Sequence, residues 1–279
     1  MINPATVTGE VDATGCNIGV YYDNGVGVVN DADIYGANYF GVLVNGDVND
    51  VSVDVTNSSV HHIGEVPPNG SQHGVAVYYR ALATGTATGN VSGNTIWNYQ
   101  KGGITVNGAG ATVSVTNNTV TGLGPVDFIA QNGIQVGYGA TAVVTKNNVS
   151  GNSYTGHNWV SGGIIVVGGP YYGYPYTVGT QIVGNTIVGN DVGVYLSNWD
   201  ISGPPATPTN VKVINNVIDG TEAENPDYQA GISDLGNNDK LIANTITGYV
   251  GCGAELNCYS IDSDSSYSPG AKVHANITP

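Results

Sequence analysis

One dipeptide, Gly followed by Ile or Val, recurs through the chain and limits what it can fold into. It falls at Gly19-Val20, Gly41-Val42, Gly74-Val75, Gly103-Ile104, Gly133-Ile134, Gly163-Ile164, Gly193-Val194 and Gly231-Ile232, at spacings of 22, 33, 29, 30, 30, 30 and 38 residues, with a ninth partial unit through Ile261. After each pair, apolar and outward residues alternate, as Ile104 and Val106 do around Thr105 or Ile134 and Val136 around Gln135. A period of two denotes a strand. Units of this length, built of short strands without a helical period, cannot bury an apolar face alone and must stack on their neighbours.

A second row runs in step with the first. Asn94, Asn118, Asn147, Asn185, Asn216 and Asn244 each stand two residues before an Ile or Val, and Ser58 takes that place in the preceding unit. A stacked Asn can donate its amide to the oxygen of the next, so one Asn per unit is expected inside, forming a ladder, while its neighbour (Asn117 beside Asn118) faces out. The expected fold is all-β: one single-stranded right-handed parallel β-helix of about nine coils over residues 1–279, with strands of successive coils about 4.8 Å apart.

The phrase "GIxV…VxxNxV" resembles the parallel β-helix repeat of the pectin-lyase-like superfamily over about residues 18–265. The wording "SQHG", "NYQKGGI" and "AQNGIQV" is similar to secreted bacterial β-helix repeat proteins. The resemblance implies the fold and, through the superfamily, a surface that handles polysaccharide. It does not carry over a known active site. The Asn-Thr-Asp, paired Asp, Gly-His-Gly and Arg-Ile-Lys of polygalacturonase-like hydrolases are absent, as is the Tyr-Gly-x-Asp-Pro-His of epimerases.

Composition narrows the partners. The net charge is −15, and the only cations are Arg80, Lys101, Lys146, Lys212, Lys240 and Lys272, so neither nucleic acid nor an anionic membrane is an expected partner. No apolar run reaches the length of a membrane span. Met1-Ile2-Asn3-Pro4 leads into strand-like sequence without a basic and then apolar leader. The Asn-, Thr-, Gly- and Tyr-rich, Lys-poor composition points to an extracellular or cell-surface protein. Cys252 and Cys258 could pair in an oxidising compartment, whereas Cys16, in an apolar stretch, is expected as a buried free thiol.

The most polar row lies two residues before each recurring Gly: Gln72, Lys101, Gln131, Ser161, Asp191 and Gln229. Stacking would gather Gln72, His73, Lys101, Gln131 and Asn132 into one patch, with Arg80 following the strand of His73's coil. Two roles are open: a ladder of corner-capping hydrogen bonds, or a site. In the second, His73 or Lys101 takes a proton beside a uronate carboxyl that Arg80 neutralises, or Glu65 and Asp127 flank a scissile bond as in a hydrolase. Gln72, Gln131 and Asn132 would then bind substrate. The loop "GGPYYGYPYTVG" offers Tyr172 and Tyr174, with Trp159 and Trp199 on neighbouring coils, as flat faces for sugar rings. Packing back on the rod is the alternative for that loop.

No cofactor is expected. Calcium is the one ion the residues could take, at Asp262 and Asp264 of "DSDSS", although a polar end-cap suits that segment better; Glu222, Glu224 and Asp227 read as a solvated acidic loop. Outward Thr112, Ser114 and Thr116 suggest an ice-binding face, but Val143 and Lys212 interrupt the array. The reading is an extracellular protein that binds, and could cleave, a polysaccharide. The alternative is a non-catalytic surface or fibre component, self-associating through free strand edges at the coil ends.

Overall fold

The structure, a computed structural model, describes residues 1–249 and 256–278. All its sheet pairings between strands are parallel, and the chain winds through them as a right-handed β-helix. Ladder A has nine strands, from Ile18–Tyr22 to Asn257–Asp262, one per coil. A 17-stranded sheet bends into two more walls: ladder B, which includes Val51–Thr56, Ala111–Thr116 and Lys272–His274, and ladder C, which includes Ser59–Ile63, Thr95–Tyr99 and Thr245–Thr247. Each coil runs A, B, C. The only helical turn among the described residues is Pro170–Tyr172.

The walls enclose a core of stacked like residues. Val42, Val77, Ile104, Ile134, Ile164, Val194 and Ile232 are fully buried, and Val213 and Leu241 close the same core from ladder B. Glycine stands near the start of seven of the nine ladder A strands described, where a side chain would meet the next coil. A Cβ at Gly103 would lie 2.4 Å from Val120 Cγ1 and 2.6 Å from the Gly133 carbonyl oxygen.

The coils stack in the expected register with one exception. On the third coil it is Ala76-Val77, not Gly74-Val75, that aligns with Gly41-Val42 and Gly103-Ile104. Gly74, at φ +85°, is the exit of the preceding loop. The spacings around this coil are therefore 35 and 27, and Gly74 rather than Gln72 holds the place of Lys101.

The Asn ladder joins ladders B and C. Asn94, Asn118, Asn147, Asn185, Asn216 and Asn244 are at most 1 % exposed. Each donates Nδ2 to Oδ1 of the next at 2.9–3.0 Å, ending at Asn276. The same Oδ1 also accepts the preceding Asn's backbone N–H, as Asn147 Oδ1 does from Asn118 at 2.9 Å. Ser58 begins the row, its backbone N–H donating to Asn94 Oδ1 at 2.9 Å. The preceding residue makes the turn: Asn57, Asn117, Lys146, Asn215, Ala243 and Ala275 all have φ between +49° and +56°. Asn117 is thus outward, as expected, but in the left-handed region, which strains an Ala more than an Asn or Gly.

Two sequence expectations for cysteine are revised or fall outside view. Cys16 is a free thiol but exposed, because it sits on the turn after Ala13 rather than in the core. Cys258 is disulfide-bonded; Cys252, the partner expected for it, lies outside the described residues.

At the turn leaving ladder A on the eighth coil, Asp234 and Asp239 are 1 % and 0 % exposed. Asp239 Oδ1 accepts from Thr209 Oγ1 and the Val211 backbone N–H, both at 2.7 Å. Burial, and then the neighbouring Asp234 carboxylate, push the Asp239 acid well above its usual range.

Two outcomes check this account. Asn118→Ala leaves the Asn94 backbone N–H without its acceptor in a dry corner, takes one partner each from Asn94 Nδ2 and Asn147 Oδ1, and should cost about 1–3 kcal/mol. Asn117→Gly, which suits the left-handed turn, should be close to neutral. Equal losses in urea melts would overturn the ladder register. For the acid pair, a folded pKa raised above the unfolded value of about 4 means stability present below that value and lost as pH rises. The melting temperature should therefore fall from mildly acidic to alkaline pH in the wild type, and fall less in Asp239→Asn. Parallel pH profiles would contradict the raised Asp239 acid.

Candidate functional site

The outer side of ladder A is a floor between two sets of loops. Residues 64–74, 121–131, 154–161 and 221–228 enter its strands, and the Tyr loop 169–177 leaves them. The central outward row includes Tyr78, Thr105, Gln135, Ile165, Tyr195 and Ser233, which pair directly from coil to coil. On the entering side, Asn132 sits in register between Gly102 and Gly162, so the floor drops to backbone on both sides of it.

A chain of neutral hydrogen bonds crosses this floor. Asn132 Nδ2 donates to Gln135 Oε1 at 3.1 Å, Gln135 Nε2 to Asn107 Oδ1 at 3.1 Å, and Asn107 Nδ2 to the Tyr78 hydroxyl at 3.3 Å. Beside Tyr78, Arg80 is paired with Asp47 at 2.5 Å, leaving the pair neutral as a unit. Burial raises the Tyr78 phenol above its usual pKa, against smaller opposing effects of Asn107 and Arg80. Tyr138 is raised by burial too, and by its Tyr78, Tyr174 and Tyr172 neighbours. These phenols stay protonated and act as hydrogen-bonding groups.

Tyrosines form one side wall. Tyr138 stacks on Tyr174, centroids 4.2 Å apart and planes 28° off parallel. The Tyr172 hydroxyl and Ser197 Oγ share a hydrogen bond at 2.8 Å, and the Tyr172 ring is edge-on to Tyr171. The loop therefore folds back on the rod while leaving Tyr171 54 % and Tyr174 40 % exposed. Trp199 touches the far edge of Tyr171, at 6.5 Å, and Trp159 is exposed on another loop.

The expected catalytic patch is only partly assembled. His73 Nε2 meets Glu65 Oε1 at 2.8 Å, and its ring lies 4.2 Å from that of Tyr39. Lys101 adjoins them, its backbone N–H bonded to the Gly74 carbonyl. Its Nζ donates to the Ala130 carbonyl at 2.7 Å, and burial lowers its pKa to about 8. Arg80 is not in this patch. It lies at the opposite end of its strand, five residues past Val75 and roughly 16 Å away at 3.3 Å per residue. Asp127 is exposed and has no hydrogen-bond partner among the described residues.

Two substrate-binding expectations also need correction. Gln131 is fully buried: its Oε1 accepts the Leu123 backbone N–H at 2.9 Å, and its Nε2 donates to the carbonyls of Tyr99 and Gln100. It clamps a loop and presents nothing to solvent. Gln72 is exposed but off the row, since the third-coil register is shifted, and it bonds only the Gly70 carbonyl. Ser161, Asp191 and Gln229 are buried likewise, and burial raises the Asp191 acid to about 6 while Ser153 Oγ and backbone N–H groups hold it. The row is a set of corner caps. Asp262 accepts from the Tyr228 hydroxyl, and Asp264 caps the turn at Ser266.

Tyr78, Asn107, Tyr138 and Tyr195 are candidate residues on this floor that sequence reasoning missed. Only the outward alternation could have found them, and the misplaced third-coil register moved Tyr78 off the central row.

Comparison with known proteins agrees with this architecture. Residues 7–172 match the model of the right handed beta helix region, and the chain belongs to that family. Among solved structures, the chain resembles the A-module of a mannuronan C-5 epimerase from Azotobacter vinelandii, with TM-score 0.54 and 15% identity, covering 100% of this chain and 75% of that one. A periplasmic alginate epimerase (TM-score 0.43, 12% identity, 98% of this chain and 70% of that one) is more distant. So is a DFA-IIIase from Arthrobacter chlorophenolicus (TM-score 0.38, 12% identity, 94% of this chain and 58% of that one). No curated protein matches the chain in sequence. At 15% identity, the likeness to the epimerase module shows the fold alone.

Proposed function

We propose that the protein binds a polysaccharide along the outer floor of ladder A, as an extracellular β-helix protein, and does so without cleaving it. The observation that carries this reading is the amide chain Asn132–Gln135–Asn107 ending at Tyr78, walled by the Tyr138–Tyr174 stack. Sugar rings have apolar faces and hydroxyl edges. Exposed tyrosine rings beside alternating amide donors and acceptors match both. The A. vinelandii epimerase module, whose name places it on mannuronan, gives the reading a precedent on this fold.

The floor favours uncharged sugars, because its one guanidinium is already paired with Asp47. It lacks a group suited to move a proton: amides do not titrate, and the phenols are shifted away from neutrality. The chemically competent set is His73, Glu65 and Lys101, at the entering edge. A lysine with a pKa near 8 can serve as a base, and this is the observation that favours a catalytic reading.

Affinity electrophoresis with a panel of neutral and acidic polysaccharides separates the two. Tyr174→Ala and Gln135→Ala should each weaken retention by a neutral polymer several-fold, in line with roughly 0.5–1.5 kcal/mol for an aromatic contact, without changing the melting curve. Retention unaltered in both variants would remove ladder A as the binding surface. Product release should be absent from wild type, His73→Ala and Lys101→Ala alike. Release that disappears on either substitution would establish the edge as a catalytic centre instead.

A further inference from the structure

Half of the chain's six cations stand on one wall of the rod, away from the floor of ladder A. Lys212 pairs in register with Lys240, and Lys240 with Lys272, in the last three strands of ladder B. The buried partners Val213 and Leu241 fix the lysines as outward, since strand residues alternate between core and solvent. Lys212 and Lys240 are half-buried and Lys272 is exposed. Successive stems are therefore about 4.8 Å apart, in a line along the rod axis.

Such a row is unfavourable by itself. Like charges directly opposite on neighbouring strands destabilise a sheet. Among the described residues, the ion pairs are those of His61, His73, Arg80 and His157, so none of the three lysines has a carboxylate partner. In a chain of net charge −15 with 21 acidic residues, acids are available, yet the strip carries none.

We propose that this strip binds a linear polyanionic glycan lying along the rod axis, with its acidic groups on Lys212, Lys240 and Lys272. Charge complementarity and the linear spacing argue for a polyanion, and the flanking residues argue for a glycan. Asn210 and Asn238 continue the strip on one side, their amides bonded to each other at 2.7 Å, and Gln181 continues the lysine row on the preceding coil. Amides beside point charges suit hydroxyls and carboxylates. A single-stranded nucleic acid would call for aromatic stacking platforms, and the strip holds no Phe, Tyr or Trp. This surface is separate from ladder A, and the inference does not depend on what binds there.

The test uses the full chain with three immobilised probes: polygalacturonate, dextran and oligo-dT. Wild type should be retained by polygalacturonate in low salt and released as salt rises. Lys240→Gln should weaken that retention about fivefold, at roughly 1 kcal/mol for a lysine facing an anionic surface. Lys240→Arg should preserve it, and the triple Lys-to-Gln variant at 212, 240 and 272 should lose the salt-sensitive retention while melting no lower than wild type. Tyr174→Ala should leave polygalacturonate retention intact, which distinguishes this strip from ladder A. Persistence of binding in the triple variant, no salt-sensitive retention of wild type, or equal retention by oligo-dT would each overturn the proposal.

Discussion

Everything regular in this molecule depends on how an unpaired corner backbone is satisfied without water. A parallel coil must turn between ladders B and C, and there the sheet cannot supply its own hydrogen bonds. The ladder Asn does so with its full valence. In Asn118, Oδ1 accepts the Asn94 backbone N–H at 3.0 Å and Asn94 Nδ2 at 2.9 Å, while Nδ2 serves the Val91 carbonyl and Asn147 Oδ1. The left-handed residue before it sets the turn. Because every corner is tied to the next, the coils cannot slip by a residue without breaking the whole column, and a slip would also turn the apolar rows outward.

That lock explains what was legible in the sequence. The Asn row and the apolar pairs recur because they are structural, so the fold could be read from their periodicity. The third-coil register was misread because Gly74 looks like the repeating glycine but marks a loop exit, while Ala76 takes the repeat position with no glycine signal. One such error moved Tyr78 from the centre of the floor and put Gln72 on a row it does not join.

The site was less legible for a different reason. Polar residues recur at corners whether they cap backbone or meet ligand, and sequence does not distinguish the two. Gln131 and Asn132 are adjacent, yet Gln131 is fully buried beneath a loop and Asn132 heads the amide chain on the floor. The difference lies in the 121–131 loop, whose path is not periodic. The Tyr138–Tyr174 contact likewise depends on how the loop after Gly168 folds back.

The same regularity bears on catalysis. A stacked repeat places equivalent residues at equal intervals on each wall, which suits a polymer of repeating units and yields extended surfaces such as the amide floor of ladder A and the lysine strip of ladder B. Proton transfer needs the opposite: two unlike groups with displaced pKa values at one point. Corners that bury acids, such as Asp191, spend them on backbone N–H groups, and Arg80 is neutralised by Asp47. Among the described residues, the interruption at the 64–74 loop brings His73 onto Glu65, beside the backbone of Lys101, whose pKa burial lowers. The regular coils thus repeat evenly spaced groups, and the 64–74 loop departs from that repeat.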